Sequence, residues 1–288
     1  MSDLLIGNFA TRRCELWPPD VVRVVSWNIN RGMRLPEITG FLASQRADLL
    51  ILQEVDLNAR RTRGLNIAEE IARKLEMNYV FGREFHELTQ GSRTAPAWHG
   101  QATLSRWHLG NPRVIRFRRQ SGFWRSRWFV PRTAPFQDRL GGRIALVTEL
   151  SVGGRNLAVY NLHLESRGDN DLSWSQFEEV LADTARYIPS FPALVAGDFN
   201  FDASHALPAH ALQLVGFRSA IGLPSPSTTT PRGLFRHRRT IDWAYVSGSV
   251  DAALGRVHGD LEASDHYPIS FELGLRTDWK RKRYVEDR

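Results

Sequence analysis

Apolar residues along this chain gather in short β-branched and aliphatic runs separated by polar or turn residues, the pattern of buried strands. Runs at 21–27, 48–52, 102–105, 143–150, 157–162, 193–196, 240–246 and 269–273 read as strands. Between some of them the apolar period lengthens to that of a helix: over 35–45, over 66–75, and over 173–187 ahead of the strand at 193–196. Strand and helix alternate in the first quarter, whereas 143–162 reads as a hairpin turning at Gly153 and Gly154. Mixed sheets covered by helices are expected, an α/β class of fold.

The 288 residues allow one large α/β domain or two small ones. No repeat and no long Gly, Ser or Pro linker marks a boundary, so one domain is expected. Its middle is irregular. Residues 121–142 hold Trp124, Trp128 and Phe129 among Arg125, Arg127, Arg132 and Arg139, with Pro131 and Pro135 interrupting any long element. That segment reads as a long surface loop, and the basic tail from Thr277 as frayed or weakly docked.

Charge narrows the partners. Lys and Arg exceed Asp and Glu by seven, the isoelectric point is near 10.0, and cations concentrate between Arg113 and Arg143 and again over 280–283. Such a surface favours nucleic acid, anionic membrane or phosphorylated small molecules; a merely solubilising surface is the competing reading. Cys14 is the only cysteine, which excludes a disulfide framework and a thiolate cluster within the chain, so any metal needs oxygen or imidazole ligands. Asp3 stands where a signal peptide carries basic residues, and no apolar run approaches the ~20 residues that cross a bilayer. The expectation is a soluble, cytoplasmic protein.

Residues of ligand or acid–base type recur where apolar runs stop. Asn28 follows Trp27, Glu54 follows Leu52-Gln53, and Asn161 and His163 flank Leu162. Asp198 and Asn200 lie in Gly197-Asp198-Phe199-Asn200, and Asp265-His266 lies in Ser264-Asp265-His266-Tyr267-Pro268. Singly, each has a bland reading as turn former, helix cap or satisfied core histidine. Together they suggest one shared site, because α/β folds collect their chemistry beyond the carboxyl ends of strands.

The segments Ser26-Trp27-Asn28-Ile29-Asn30, Gln53-Glu54-Val55, Gly100-Gln101-Ala102-Thr103-Leu104-Ser105-Arg106, Asn161-Leu162-His163-Leu164, Gly197 to Asn200, Thr240-Ile241-Asp242-Trp243-Ala244-Tyr245-Val246 and Ser264 to Ile269 resemble an ordered motif series. It is that of the endonuclease/exonuclease/phosphatase superfamily, matched from about residue 21 to 274. The resemblance implies a four-layered α/β sandwich, two packed mixed sheets flanked by helices, over 21–276. An extension (1–20), a basic aromatic insert (about 113–142) and a basic tail (277–288) complete the chain. It also implies a metal-dependent hydrolase of phosphate esters with one or two Mg2+ or Mn2+ ions. By match to the motifs, Glu54 is the principal metal ligand, with Asn28 and Asp265 binding directly or through water. Asp198 would orient or deprotonate the attacking water, and Asn200 would donate to the developing phosphorane oxygens. Asp242 would pair with His266, acting as general base or as cationic phosphate clamp, and His163 would contact phosphate or protonate the leaving group. The chemistry of the residues agrees, since oxygen ligands suit a hard cation such as Mg2+ better than zinc. Gln101 replaces a commoner Asn and Leu162 a commoner Thr; neither change removes a reacting group. Apurinic-site endonucleases more often carry tyrosine in the region of His163, which leans away from that subgroup.

For the substrate, the segment over 122–129 carries the signal. Trp124, Arg125 and Trp128, with Asn161, are the candidate substrate contacts. Three readings are open: aromatics stacking on bases between arginines that neutralise phosphates, a lipid-interface anchor, or a small satellite cluster folded beneath the loop. The leading expectation is a Mg2+-dependent nuclease acting on DNA or RNA. The alternative is a phosphodiesterase or phosphatase for lipids or small phosphorylated molecules, with an anionic lipid surface as partner. A catalytically dead binding module is opposed by the intact set of acids and histidines. No obligate protein partner is evident.

Overall fold

The computed structural model describes the chain apart from residues 1, 12–18, 127, 130, 132, 134–135, 137, 168–169, 189–190, 204–205, 223–225, 231–237, 249 and 275–288, and the side chains of 206–207. Cys14, Arg127, Arg132, Pro135 and the tail from Thr277, with its cations over 280–283, lie outside the described residues.

In chain order the first elements are β1 (Leu4–Gly7), β2 (Val21–Arg31), α1 (Leu35–Ser44), β3 (Leu49–Leu57), α2 (Ile67–Leu75), β4 (Asn78–Glu87), β5 (Ala97–Ser105), β6 (Leu109–Arg116) and β7 (Arg139–Gly141). Then come β8 (Ile144–Val152), β9 (Arg155–His163), α3 (Asn170–Thr184), β10 (Ala193–Asp198), α4 (Ala206–Leu214), β11 (Phe217–Ser219), β12 (Asp242–Ser247), β13 (Asp251–Val257) and β14 (Ile269–Gly274). One sheet has the order β1-β4-β5-β3-β2-β14-β13, with β7 added to β4; the other has the order β11-β12-β10-β9-β8-β6. Each is mixed, with parallel pairs β2/β3 and β9/β10 among antiparallel neighbours.

Side-chain alternation along the central strands builds the layers. In β3, Leu49 and Ile51 join the core that includes Leu146, Val159 and Leu194 of the second sheet, whereas Leu50 and Leu52 pack with Ile38 and Leu42 of α1 and Ile67 and Ile71 of α2. Phe177 and Val180 of α3 and Leu212 of α4 belong to the core of the second sheet. The result is a helix–sheet–sheet–helix α/β sandwich. Buried faces on both sides explain why β2, β3 and β10 read as near-continuous apolar runs. Helix α2 begins where Asn66 accepts a hydrogen bond from the Glu69 amide at 3.3 Å, a side-chain cap on an otherwise orphaned donor. Among the described residues, no helix is long and apolar enough to cross a membrane.

Several expectations change in detail. The hairpin is present: β8 pairs with β9 down to Val152 and Arg155, and Gly153 and Gly154 take φ of 56° and 78°, the positive pair that a tight two-residue turn requires. The predicted extension over 1–20 contributes β1, an edge strand on β4. The insert expected over 113–142 is narrower, because Arg113 and Arg116 belong to β6 and Arg139 to β7. Its cations are also partly committed. Arg113 pairs with Asp183, Arg116 with Asp3 at 2.8 Å, Arg139 with Glu87 and Arg143 with Glu84 at 2.7 Å.

Asn161 is a correction. Far from meeting substrate, it is fully buried between the sheets, where its amide donates to the Leu52 and Ala102 carbonyls at 3.0 Å each and accepts from Gln53 Nε2 at 2.8 Å. Replacing it removes three hydrogen bonds from an apolar layer. Asn161→Ala is expected to lower unfolding free energy by roughly 2–4 kcal/mol in urea titration, at the upper range for stranded buried polar groups; a loss below ~1 kcal/mol would deny it this role.

Candidate active site

Strand register assembles the acids and the histidine. β9 and β10 run parallel with His163 opposite Asp198, and β10 and β12 run antiparallel with Asp198 opposite Asp242, so three adjacent strands present the three residues in a row. Gly197 makes the row fit: its φ is 140°, and a Cβ there would lie 2.1 Å from the Leu162 carbonyl oxygen. Immediately beyond, Asn200 takes φ 56°, its amide N–H donates to Asp198 Oδ1 at 2.9 Å, and its Nδ2 donates to the Leu164 carbonyl at 2.9 Å.

Glu54 arrives from the other sheet by an irregularity. In the β3/β5 ladder Leu52 pairs with Ala102 and Val55 with Gly100, so Gln53 and Glu54 together oppose Gln101. This bulge shifts the alternation by one, which keeps Leu50, Leu52, Val55 and Leu57 in the helix-side core. Glu54, at φ 52°, is turned out into the cleft. Gln53 instead points inward to Asn161.

The last motif is tied down onto β2. Trp27 Nε1 donates to the His266 carbonyl at 2.8 Å, Ser264 Oγ donates to the Asn28 carbonyl at 2.7 Å, and the Thr230 and Tyr267 amides close the loop on the Asp265 and Thr228 carbonyls. His266 thereby comes to rest with Nδ1 2.9 Å from Asp242 Oδ2 and Nε2 3.8 Å from Asp198 Oδ2. The same Asp198 oxygen accepts from Asn28 Nδ2 at 3.2 Å and lies 3.7 Å from His163 Nε2. His163 Nε2 is in turn 4.0 Å from Glu54 Oε1.

These residues share one cleft of about 350 Å3, whose lining includes Glu54, His163, Asp198, Asn200, Asp265 and His266. Asn28 stands behind it, 1 % exposed, supporting Asp198. Trp124 is another correction. It is buried, donating from Nε1 to Glu165 Oε2 at 2.8 Å and packing 4.8 Å from Phe85, so the satellite-cluster reading holds for it. Arg125 is exposed, and Trp128 is 95 % exposed.

Residues with no sequence signal complete the cleft. Arg143, only 4 % exposed, lines it with Nη1 2.7 Å from Glu84 Oε1 and 2.8 Å from the His163 ring nitrogens, while Arg239, Thr229 and Thr230 line the opposite part. Glu84 and Arg143 are single charges in strand-like surroundings, and nothing in their spacing announces a buried pair.

Burial and charge set the protonation states. Burial opposes a charged His266, but the adjacent Asp242 and Asp198 carboxylates and the hydrogen bond to Asp242 push it up to about 9, so the imidazole is cationic at neutral pH. Burial likewise opposes ionisation of Glu54, yet His99, His163, Arg139 and Arg31 hold its carboxyl well below the usual range. Glu84 is brought down to about 2, burial being outweighed by His163 and Arg143. Asp198, Asp242 and His266 place ligand-type atoms within 4.8 Å of one another. Because Asp242 already occupies Nδ1 and the ring is cationic, His266 is better suited to hold an anion or move a proton than to coordinate metal. The carboxylates of Glu54 and Asp265, open on the same cleft, are the oxygen donors that fit a hard divalent cation.

Acids and histidines thus converge at one cleft of an α/β sandwich of two mixed sheets. The chain belongs to the endonuclease/exonuclease/phosphatase family, whose model matches residues 25–266. Enzymes of that family typically use divalent metals. Comparison with curated protein sequences found no match. Similar solved structures include the human Nocturnin catalytic domain with bound sulfate anion (19% identity, 94% of this chain and 96% of that chain, TM-score 0.64). An endonuclease/exonuclease/phosphatase from Beutenbergia cavernae is similar at 18% identity, over 89% of this chain and 72% of that one, with TM-score 0.63. So is TDP2 from Caenorhabditis elegans, at 19% identity over 88% and 74%, with TM-score 0.61. At these identities the likeness is one of fold.

Glu84→Gln removes the partner of a buried guanidinium at the back of the cleft. Unfolding stability is expected to fall by ~3 kcal/mol or more, as for other broken buried pairs; a urea midpoint like that of the unaltered protein would show Arg143 to be adequately compensated elsewhere.

Proposed function

We propose that the chain is a Mg2+- or Mn2+-dependent phosphodiesterase that cleaves DNA or RNA. The observation carrying this reading is the convergence of Asn28, His163 and His266 on one oxygen of Asp198, with the ionised Glu54 on the same cleft. Glu54 and Asp265 would hold the cation, which when bound supplies charge neutralisation for the phosphate and a lowered pKa for water. Asp198 Oδ2, fixed by Asn28, would orient an attacking water and accept its proton. His266, kept cationic by Asp242, would hold a non-bridging phosphate oxygen, and His163 a second oxygen or the leaving group. Asn200 spends one amide hydrogen on the Leu164 carbonyl and retains the other for the developing charge. Arg143 and Arg239 add fixed positive charge on the cleft wall.

Nucleic acid is favoured by the net charge of +7 and by exposed Arg118, Arg119 and Arg125 near the narrowed insert. A second reading, a phosphoester of lipid, draws on Trp128 and Phe129, 95 % and 64 % exposed in the same segment as Arg125. Hydrolysis of duplex DNA, single-stranded DNA, RNA, sphingomyelin and inositol phosphates with Mg2+ or Mn2+ separates the two.

Glu54→Ala is expected to abolish metal-stimulated hydrolysis with the thermal midpoint preserved. His266→Ala and Asn200→Ala should each reduce kcat by roughly 10²-fold or more, the range for loss of one charge-stabilising donor; rates within a few-fold of the unaltered enzyme would remove these residues from the chemistry. Binding to nucleic acid should weaken steeply as salt rises from ~50 to ~200 mM through counterion release. Salt-independent binding would leave only the second reading.

A further inference from the structure

Beside the cleft lies a second hollow of about 550 Å3, which shares Arg239 and Ile241 with it. We propose that this hollow is a nucleobase subsite, seating the planar heterocycle of a nucleotide whose phosphate occupies the cleft. The inference rests on the phosphodiesterase reading given above.

Continuity of the backbone joins the two spaces. Asn200 lines the cleft and the next residue, Phe201, lines the hollow. Arg239 sits on the ridge between them, where a guanidinium N–H donates to the Asn200 carbonyl at 2.8 Å. That bond places a positive charge at the boundary, where the phosphate of a ligand spanning both spaces would pass.

The interior of the hollow suits a flat aromatic group. Trp174 of α3 is half-buried, edge-on to Phe201 at 6.1 Å and tilted against Phe177 at 5.7 Å. Both phenylalanines are buried, so the indole is held from behind while it lines the hollow. A pre-positioned aromatic surface is what base stacking requires. Around it stand Asp171, Asp202 and Arg238, charged groups that would make a costly lining for an acyl chain but can meet the donor and acceptor edge of a base. An aromatic floor with a few convergent polar groups, in a volume within the ~300–1,000 Å3 of small-molecule sites, is the general form of such a pocket.

The decisive measurement is equilibrium binding of deoxyadenosine 5′-monophosphate and of deoxyribose 5-phosphate, by ligand-observed NMR in EDTA. The unaltered protein is expected to prefer the base-bearing probe by roughly 5- to 100-fold, the worth of one stacked base. In Trp174→Ala the preference should shrink to about twofold or less, and Trp174→Phe should retain most of it. Equal affinity of the unaltered protein for both probes overturns the proposal, whatever the variants do. So does a folded Trp174→Ala protein that keeps the full preference. Discrimination by a protein that hydrolyses no phosphodiester would leave the subsite standing and remove the phosphodiesterase reading. Hydrolysis without discrimination would do the reverse.

Discussion

Two apolar sheet faces could slide past one another with little change in buried area; what locks them is the amide of Asn161, bonded across the layer to Gln53 and to the Leu52 and Ala102 carbonyls. Gln101 adds a second crossing, donating to the Ile144 carbonyl at 2.8 Å. Hydrogen bonds in an apolar layer are directional, and breaking them strands polar groups, so they define one alignment where dispersion would accept many. The site depends on that alignment. Glu54 belongs to the first sheet and His163, Asp198 and Asp242 to the second. A slip of one residue, ~3.3 Å along a strand, is close to the whole 4.0 Å separating His163 from Glu54.

Unfavourable backbone and unfavourable burial meet at the cleft. Glu54 and Asn200 have positive φ and Gly197 cannot take a side chain, all within the residues that shape the cleft. Behind it, Glu84 with Arg143 and Glu87 with Arg139 are buried charge pairs, and Asp56 is held by both Arg61 and His99. Burying charges in pairs is at best neutral for stability. Their position suggests another consequence: a fixed, low-dielectric electrostatic environment that keeps Glu54 ionised and presents His163 and the acids in one geometry.

Charge also had to be redistributed by the fold before it could inform function. The cationic stretch that the sequence displays between Arg113 and Arg143 divides into paired residues and exposed ones; Arg113, Arg116, Arg139 and Arg143 answer acids of the protein itself. The aromatics divide in the same manner. Trp124 is consumed by packing and by Glu165, while Trp128 reaches solvent. Composition alone treats both as equivalent.

Central strands were legible because both their faces are buried, which turns β2, β3 and β10 into apolar runs, and the motif residues stood out as polar groups at their ends. Strand β4 was not: its Glu84 and Glu87 are buried acids whose arginine partners Arg143, Arg139 and Arg61 lie outside the strand, and a charge that is paired reads in sequence like a charge that is solvated. Edge strands β1 and β13 lacked a buried alternation for the same reason that they are edges. The row of His163, Asp198 and Asp242 could be named from the chain, but the pairing of β9, β10 and β12 had to put them side by side. Sequence by itself therefore determined the class of fold and the acids and histidines that gather at the cleft, which are local in pattern and chemistry. Tertiary structure alone decided which amides lock the sheets, which charges are spent internally and where the second hollow opens, because each of those is a contact between residues distant in the chain.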